Sequence, residues 1–336
     1  MAQFPRAEAD GGGVQETSGF FFQEDVTPDF KVQMRLDSLD YQTKSPFQDV
    51  KIIHTTQFGK TLVLDGKTQS AASDEHVYHE ALVHPALVLH GNPKTVYIGG
   101  GGEMATAREI LRFKSVEKCV MVDIDPVVCD VAFTHLQQWS EGVSKDDPRF
   151  ELHVDDAMKF IKEDDRKYDA IIMDIADPIE AGPGIALYTQ EFYAFVAKNR
   201  LNPGGVLVTQ SGPGSHFNVK SECFTTIHST LRSTFQHVYP YSVDIPSFGS
   251  NWGFNLATGV KSGDNSAEAS LDKDVSYMLS KSTESIDEAI SKNVNGQSKF
   301  YDGVTHMGMF GIPKDIRRDL KAETRIMTMD NPVFMH

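Results

Sequence analysis

The chain has 336 residues, with 32 Lys or Arg against 47 Asp or Glu, so its formal net charge is −15. So acidic a composition argues against binding to nucleic-acid phosphates and against docking on an anionic membrane surface, because both need basic residues. An acidic protein instead attracts cations. Cys119, Cys129 and Cys223 are too few and too scattered for a disulfide framework or a CxxC metal site.

No stretch of the sequence approaches the roughly 20 apolar residues that a membrane-spanning helix needs. The N-terminal region also lacks the basic and apolar segments of a secretory signal. We therefore expect a cytoplasmic protein in which residues 1–27 form a flexible tail.

The next part of the chain has the pattern of a small antiparallel β-domain. Residues 28–72 alternate as strands do and are interrupted by turns, and Asp65-Gly66 is a dipeptide typical of a tight hairpin. A helix should follow, which Pro85 is expected to break or kink. We group residues 28–90 as an N-terminal β-unit plus this helix.

Between residues 91 and 262, short apolar strands alternate with helices. This alternation predicts an α/β fold with a Rossmann-like, doubly wound sheet of the methyltransferase type. Ligands of such sheets lie at the carboxyl ends of the strands, so the residues that follow each strand are the candidates for a site. Residues 263–336 carry weaker signals and are assigned to a C-terminal extension.

The first three strands of this region end in residues that suit an adenosine-containing ligand, such as NAD or S-adenosylmethionine. Glycines 99–102 follow the first strand and would let a ligand approach the backbone. Asp123 ends the second strand, where a carboxylate can accept hydrogen bonds from ribose hydroxyls. Residues 155–157 (Asp-Asp-Ala) end the third, where a carboxylate can bind an adenine amino group or simply cap a helix.

Two further carboxylates, Asp174 and Asp177, follow the fourth strand. Burying an unpaired carboxylate costs several kcal/mol, so two of them at a ligand-binding edge imply a cationic partner. A calcium site or a solvated loop is the alternative. His76 and His79 are i, i+3 neighbours but lack HExxH spacing, so no metal site is expected.

On these motifs the sequence resembles the polyamine aminopropyltransferase (spermidine synthase) family over roughly residues 18–260. The segments that carry the resemblance are Leu64–Gln69, Asp74–Glu80, Gly99–Glu103, Val122–Asp125 and Asp174–Pro178. Within the family, residues 176–183 with 187–189 are similar to the thermospermine synthases of plants and algae. The segment Asp177–Pro183 carries two more residues before its Gly-Pro than the corresponding loop of the usual spermidine synthases.

The resemblance implies transfer of an aminopropyl group from decarboxylated S-adenosylmethionine to spermidine, which yields thermospermine and methylthioadenosine. It implies that Asp174 is the proton acceptor, that no metal or bound cofactor takes part, and that the protein is a homodimer or homotetramer. The residues assigned to the cosubstrate are Gln48, Gly99, Gly101, Glu103, Asp123, Asp155, Asp156, Ala157 and Pro183. Those assigned to the polyamine are Tyr78, His79, Glu103, Asp174, Asp177 and Tyr241.

Other functions share parts of this pattern. Spermidine or spermine synthase activity is the alternative within the family. An S-adenosylmethionine-dependent methyltransferase must accommodate a methionine carboxylate, which the acidic region of Glu103 and Asp174 disfavours. A dinucleotide dehydrogenase needs a pyrophosphate seat, which Glu103 at a helix start would repel. A non-catalytic polyamine-binding subunit would not need Asp174.

Overall fold

The computed structural model describes residues 2–3, 19–27, 30–180, 182, 184–216, 223–261 and 270–335. The chain forms two compact units. The first extends to residue 75 and includes residues 245–249, and the second comprises residues 76–244 and 250–335. Over the described residues, no helix is both long enough and apolar enough to cross a membrane.

The first unit is an antiparallel sheet of six strands within its described residues. These strands are β1 (Ala2–Gln3), β2 (Phe21–Thr27), β3 (Phe30–Lys44), β4 (Asp49–Thr55), β5 (Gly59–Leu64) and β6 (Lys67–Ala71). They are ordered β1-β3-β4-β5-β6, with β2 also paired to β3. The predicted hairpin turn is confirmed, because Asp65 and Gly66 join β5 to β6 and both have positive φ.

The flexible tail predicted for residues 1–27 is wrong for two of its described segments. Phe21–Thr27 is strand β2, paired with the first half of β3, and Ala2–Gln3 pairs with its middle. The prediction relied on composition, whereas these residues are ordered by backbone hydrogen bonds to the long strand β3. Residues 1 and 4–18 of the predicted tail lie outside the described residues.

The second unit is built on a sheet of seven strands in its described part. They are β7 (Thr95–Gly100), β8 (Lys118–Asp123), β9 (Phe150–Val154), β10 (Tyr168–Asp174), β11 (Leu201–Pro213), β12 (Phe235–Ile245) and β13 (Ser250–Val260). Their order is β12-β13-β11-β10-β7-β8-β9. Strands β7 to β11 pair in parallel, as predicted for a doubly wound sheet, whereas β13 runs antiparallel to β11.

Helices cover this sheet. They are α1 (Glu75–His90), α2 (Ala105–Leu111), α3 (Pro126–Thr134), α4 (Ala157–Glu163), α5 (Gln190–Asn199), α6 (Phe224–Thr234), α7 (Leu271–Leu279), α8 (Thr283–Asn293), α9 (Gly303–Phe310) and α10 (Lys314–Ala322). Short 3₁₀ helices occupy Ile185–Tyr188 and Pro246–Phe248. The expected break at Pro85 is wrong, since α1 continues to His90. Residues 81–87 are all buried, and their packing offsets the hydrogen bond that proline removes.

Helix α1, which the sequence analysis grouped with the β-unit, lies almost entirely in the second unit. The Glu80 carboxylate accepts backbone N–H groups of Lys299, Phe300 and Tyr301, so the helix is tied to a segment more than two hundred residues later in the chain. Helices α7–α10 of the C-terminal extension also belong to the second unit.

The strand order reverses between β7 and β10. From β7 the chain adds β8 and β9 on one side, and then β10 and β11 on the other. At such a switch point the loops diverge and leave a crevice at the carboxyl ends of the strands. Gly100 at the end of β7 pairs with Asp174 at the end of β10, so the glycine run and Asp174 meet at this crevice.

Candidate active site

The glycine run has a direct structural cause at Asp174. A Cβ on Gly100 would stand 2.1 Å from the Asp174 carbonyl oxygen, and Gly100 has a φ of +83°. The adjacent N–H of Gly101 donates to the same carbonyl at 2.9 Å. Only glycine permits this close approach of two backbones, which brings the Asp174 side chain to the switch point.

Two hydroxyl groups orient the Asp174 carboxylate. Tyr78 on α1 donates to Oδ1 at 2.8 Å, and Thr106 on α2 donates to Oδ2 at 2.5 Å. Burial, together with the negative charge of Asp174, raises the pKa of the Tyr78 hydroxyl well above its usual value. Tyr78 therefore stays protonated and remains a donor, and the carboxylate is held in one orientation with acceptor capacity left for a ligand.

A second carboxylate, Glu103, is held by its own partner. His79 Nε2 lies 2.6 Å from Glu103 Oε1, and the imidazole is fully buried. The rings of His79 and Tyr78 pack edge to face with centroids 5.0 Å apart. Adjacent residues of α1 thus position two carboxylates that the sequence separates by 71 positions.

Asp123 at the end of β8 accepts two backbone hydrogen bonds. Gly102 N–H donates to Oδ2 at 2.9 Å and Asp125 N–H donates to Oδ1 at 2.8 Å. Burial raises the pKa of the Asp123 carboxyl to about 6, and the negative charges of Asp125 and Asp174 also act in that direction against the two donors. The carboxylate keeps lone pairs for the hydroxyls of a ligand.

The acidic pair after β9 has visible structural roles. Asp156 caps α4, where its Oδ1 accepts the N–H groups of Met158 and Lys159. Asp155 forms an ion pair with Lys159 at 3.1 Å, and its backbone N–H donates to the Asp123 carbonyl. The capping alternative weighed from the sequence is therefore realised for Asp156, while the Asp155 backbone stays beside Asp123.

Asp177 is held by a buried glutamine. Gln210 Nε2 lies 2.9 Å from Asp177 Oδ1 and 2.7 Å from the Tyr188 hydroxyl. Its Oε1 accepts N–H groups of Gly212 and Trp252, which fixes the orientation of the amide. Glu180, on the loop that follows, is exposed.

The remaining predicted residues fall in different places. Tyr241 is not brought to the acidic side chains: it is fully buried, stacks on Phe254 and donates its hydroxyl to the Ala81 carbonyl, so its contacts are those of a core residue. Gly99 pairs with Met173 within the sheet. Ala157 is buried at the start of α4, and its carbonyl accepts the Tyr97 hydroxyl.

The other two predicted cosubstrate residues lie outside the described part of the second unit. Gln48 lies in the first unit, where its carbonyl accepts the Ser45 N–H. Pro183 lies outside the described residues.

Sequence reasoning missed Thr106, Tyr188 and Gln210. Gln210 had a usable signal, because it lies on the strand next to β10 near the end where ligands bind. Thr106 carries no such signal, since a hydroxyl in a helix is most often structural. Tyr188 had a signal only as part of residues 187–189, which carry the resemblance. Within the described ranges, no three His, Cys, Asp or Glu side chains are grouped as metal ligands would be.

The arrangement places Glu103, Asp123, Asp174 and Asp177 at one sheet edge, with aromatic rings beside them. Asp123, Asp174 and Asp177 each accept a hydrogen bond from a neutral donor, and Glu103 lies in contact with the His79 imidazole. Such a site suits a ligand with several positive charges spaced along an extended chain, because each ammonium finds an oriented acceptor. An aromatic face beside a cation adds to the attraction.

Comparisons with known proteins agree with this geometry. A model described as spermine/spermidine synthase domain matches residues 75–266, and one described as spermidine synthase tetramerisation domain matches residues 19–71. A polyamine aminopropyltransferase of Aeropyrum pernix is 42% identical over 317 residues, which are 94% of this chain and 95% of that protein. Thermospermine synthase ACAULIS5 of Arabidopsis thaliana is 37% identical over 94% of this chain and 87% of that protein.

A solved structure gives the same fold. The crystal structure of a spermidine synthase in complex with the transition-state analogue AdoDATO matches with a TM-score of 0.77 and 26% sequence identity. The match covers 93% of this chain and 99% of that one. Both units of this chain therefore have a counterpart in a protein of known activity.

Proposed function

This chain belongs to the spermine/spermidine synthase family of aminopropyltransferases, and from that premise we propose that it transfers an aminopropyl group from decarboxylated S-adenosylmethionine to spermidine. The products are thermospermine and methylthioadenosine. The observation that carries this proposal is the set of oriented carboxylates Glu103, Asp174 and Asp177 at the switch point. Both substrates are cations, so these groups supply matching charge.

Asp174 acts as the proton acceptor in this mechanism. An amine nitrogen of spermidine attacks the aminopropyl carbon bonded to the sulfonium, a new C–N bond forms, and the C–S bond breaks with its electron pair on sulfur. The nitrogen gives up a proton to Asp174. The two hydroxyl donors hold this carboxylate in place, so that positioning and proton transfer occur at one oriented group.

No metal or bound cofactor is required by this chemistry. The sulfonium leaves as a neutral thioether, so charge is not built up on the leaving group and a Lewis acid has nothing to stabilise. The main role of the protein is therefore to hold a neutral amine in line with the C–S bond.

Asp123 binds the ribose hydroxyls in this proposal, and Asp155, Asp156 and Ala157 lie toward the adenine. Asp123 is supported by its position after β8 and by the lone pairs that its two backbone donors leave. Tyr78, His79, Glu103 and Asp177 line the amine side. Tyr241 is left out of the amine-binding set because its hydroxyl is committed to a backbone carbonyl.

Thermospermine is the proposed product because the sequence of residues 177–183 resembles that of the thermospermine synthases, and because one relative is named a thermospermine synthase. Spermidine or spermine synthase activity is the second candidate. It is supported by the solved spermidine synthase with the same fold, while the relatives at 40–43% identity carry the general name polyamine aminopropyltransferase. The match to a tetramerisation domain supports a homo-oligomer, which we propose to be a tetramer.

The test is product identification. The purified protein is incubated with decarboxylated S-adenosylmethionine and, in parallel, putrescine, spermidine or spermine, and the amines are separated by a method that resolves spermine from thermospermine. Thermospermine from spermidine is expected. Absence of methylthioadenosine with every amine would overturn the transferase proposal itself.

A further inference from the structure

The segment 327–335 crosses the second unit and is anchored along its length. Met327 is buried, and its N–H donates to Thr230 Oγ1 at 2.9 Å. Further on, the Val333 carbonyl accepts the Cys223 thiol at 3.6 Å, and Val333 itself packs against the core. The segment therefore has a defined path, which leads to the loop after β10.

Met335 makes two contacts at the end of this path. Its N–H donates to the Pro178 carbonyl at 2.9 Å. Its Sδ lies 2.7 Å from the point where a Cβ on Gly212 would stand, so the thioether rests directly on that glycine. A side chain at position 212 would displace Met335, and Gly212 also has a φ of +70°, which favours glycine.

Both partners of Met335 are joined to the pair formed by Asp177 and Gln210. Pro178 follows Asp177 directly in the chain. Gly212 donates its N–H to Gln210 Oε1, and Gln210 in turn lies 2.9 Å from the Asp177 carboxylate. Met335 thus contacts Pro178, next to the carboxylate of Asp177, and Gly212, which is hydrogen-bonded to the amide of Gln210. These two side chains form the Asp177–Gln210 hydrogen bond.

We propose that Met335 is a positioning residue, which braces the Asp177–Gln210 pair and so sets how tightly the site holds the ammonium group of the amine nearest Asp177. This inference rests on the proposed function, in which Asp177 binds the amine. Pro178 is buried, whereas Ile179 and Glu180 just beyond it are exposed, so Pro178 is the point where the loop is fastened. A loop that is already fixed does not lose conformational entropy when the amine binds, so the affinity for the amine is higher.

The kinetic test compares Met335→Ala with Met329→Ala. Met329 is the matched control, since it is a methionine of the same segment but is 58% exposed and lies by α5 through its N–H contact with Glu191. Met335→Ala is expected to raise KM for spermidine about fivefold, the size of a coupling between contacting residues, with KM for decarboxylated S-adenosylmethionine unchanged. Met335→Leu, which keeps the volume, should restore the KM for spermidine.

An unchanged KM for spermidine in Met335→Ala would overturn the inference, as would an equal rise in Met329→Ala. A rise in the KM of both substrates together would also contradict it, because general loosening of the fold affects both.

A second readout does not depend on activity. The chain has two tryptophans, and Trp252 donates its indole N–H to Gln210, so Trp139→Phe leaves one reporter at the pair. In that background Met335→Ala is expected to shift Trp252 emission and to increase its quenching by acrylamide, whereas Met329→Ala does neither. Identical spectra for the two variants would overturn the brace. If the wild type transfers no aminopropyl group, the proposed function fails while this spectroscopic result still decides the structural coupling.

Discussion

The phenolic oxygen of Tyr78 lies 2.8 Å from Oδ1 of Asp174, although 96 positions separate the two residues. The hydroxyl remains protonated, because burial and the neighbouring carboxylate raise its pKa well above the ordinary value. A fixed donor thus holds the group that we propose as proton acceptor, and Thr106 holds its other oxygen. A general base must be correctly oriented when the amine binds, and the two hydroxyl donors hold Asp174 in that orientation beforehand.

Replacement of this base should separate chemistry from binding. In Asp174→Asn the amide keeps the shape but accepts no proton, so kcat is expected to fall by about 10²-fold or more. The affinity for methylthioadenosine, measured by calorimetry, should change little. Turnover close to that of the wild type would remove Asp174 from the mechanism.

The affinity for methylthioadenosine should depend on pH through Asp123. Its pKa in the free protein is raised to about 6, and ribose hydroxyls donate best to the ionised form. The affinity is therefore expected to rise as the pH increases toward 6 and to level off above it. Calorimetric titration between pH 5 and pH 8, which extends about one to two units to either side of this pKa, measures the change in affinity directly.

Asp123→Asn is the matched test of that assignment. It should flatten the pH dependence and weaken binding at pH 7.5 by roughly 1–3 kcal/mol, the range for hydrogen bonds to a charged group. Asp130→Asn serves as the control, because the Asp130 side chain is 75% exposed on α3. A pH dependence that persists in Asp123→Asn would mean that another group controls nucleoside binding.

The amine preference is expected to favour spermidine over putrescine in kcat/KM. This expectation rests on the proposed likeness of the sequence 177–183, which follows the strand that carries Asp174, to the thermospermine synthases. Because Glu180 is exposed, Glu180→Gln should leave the KM for spermidine unchanged. Better use of putrescine, or a tetraamine that co-elutes with spermine, would refute the subgroup assignment and leave the aminopropyltransferase assignment standing.

Stability should depend on Glu80 through its three backbone bonds. Glu80→Ala removes a fully buried carboxylate and leaves the N–H groups of residues 299–301, of which Tyr301 is buried, without their acceptor; this is expected to cost about 3 kcal/mol in the free energy of unfolding. Urea unfolding gives the value. Glu117→Ala is the control: its side chain is 70% exposed in a surface ion pair with Lys94, so its loss should cost less than about 1 kcal/mol. Equal losses in the two variants would contradict the role of Glu80.

The sequence alone determined the features that depend on neighbouring residues. The Asp65-Gly66 hairpin and the order of strands and helices from residue 91 to 213 follow from turn chemistry and periodicity. Parallel strands bring their carboxyl ends to one edge, so the meeting of the glycine run with Asp123 and Asp174 could also be inferred. Composition failed at Phe21–Thr27, where a neighbouring strand supplies the backbone partners.

Only the tertiary structure decided which side chains touch. Nothing local indicates that His79 binds Glu103, that Gln210 binds Asp177, or that Tyr241 turns its hydroxyl to a backbone carbonyl rather than to the acidic site. These contacts join residues 24, 33 and 160 positions apart. They depend on how helices and strands pack, which fixes side-chain directions to within an ångström, whereas sequence patterns specify only the face of an element on which a residue lies.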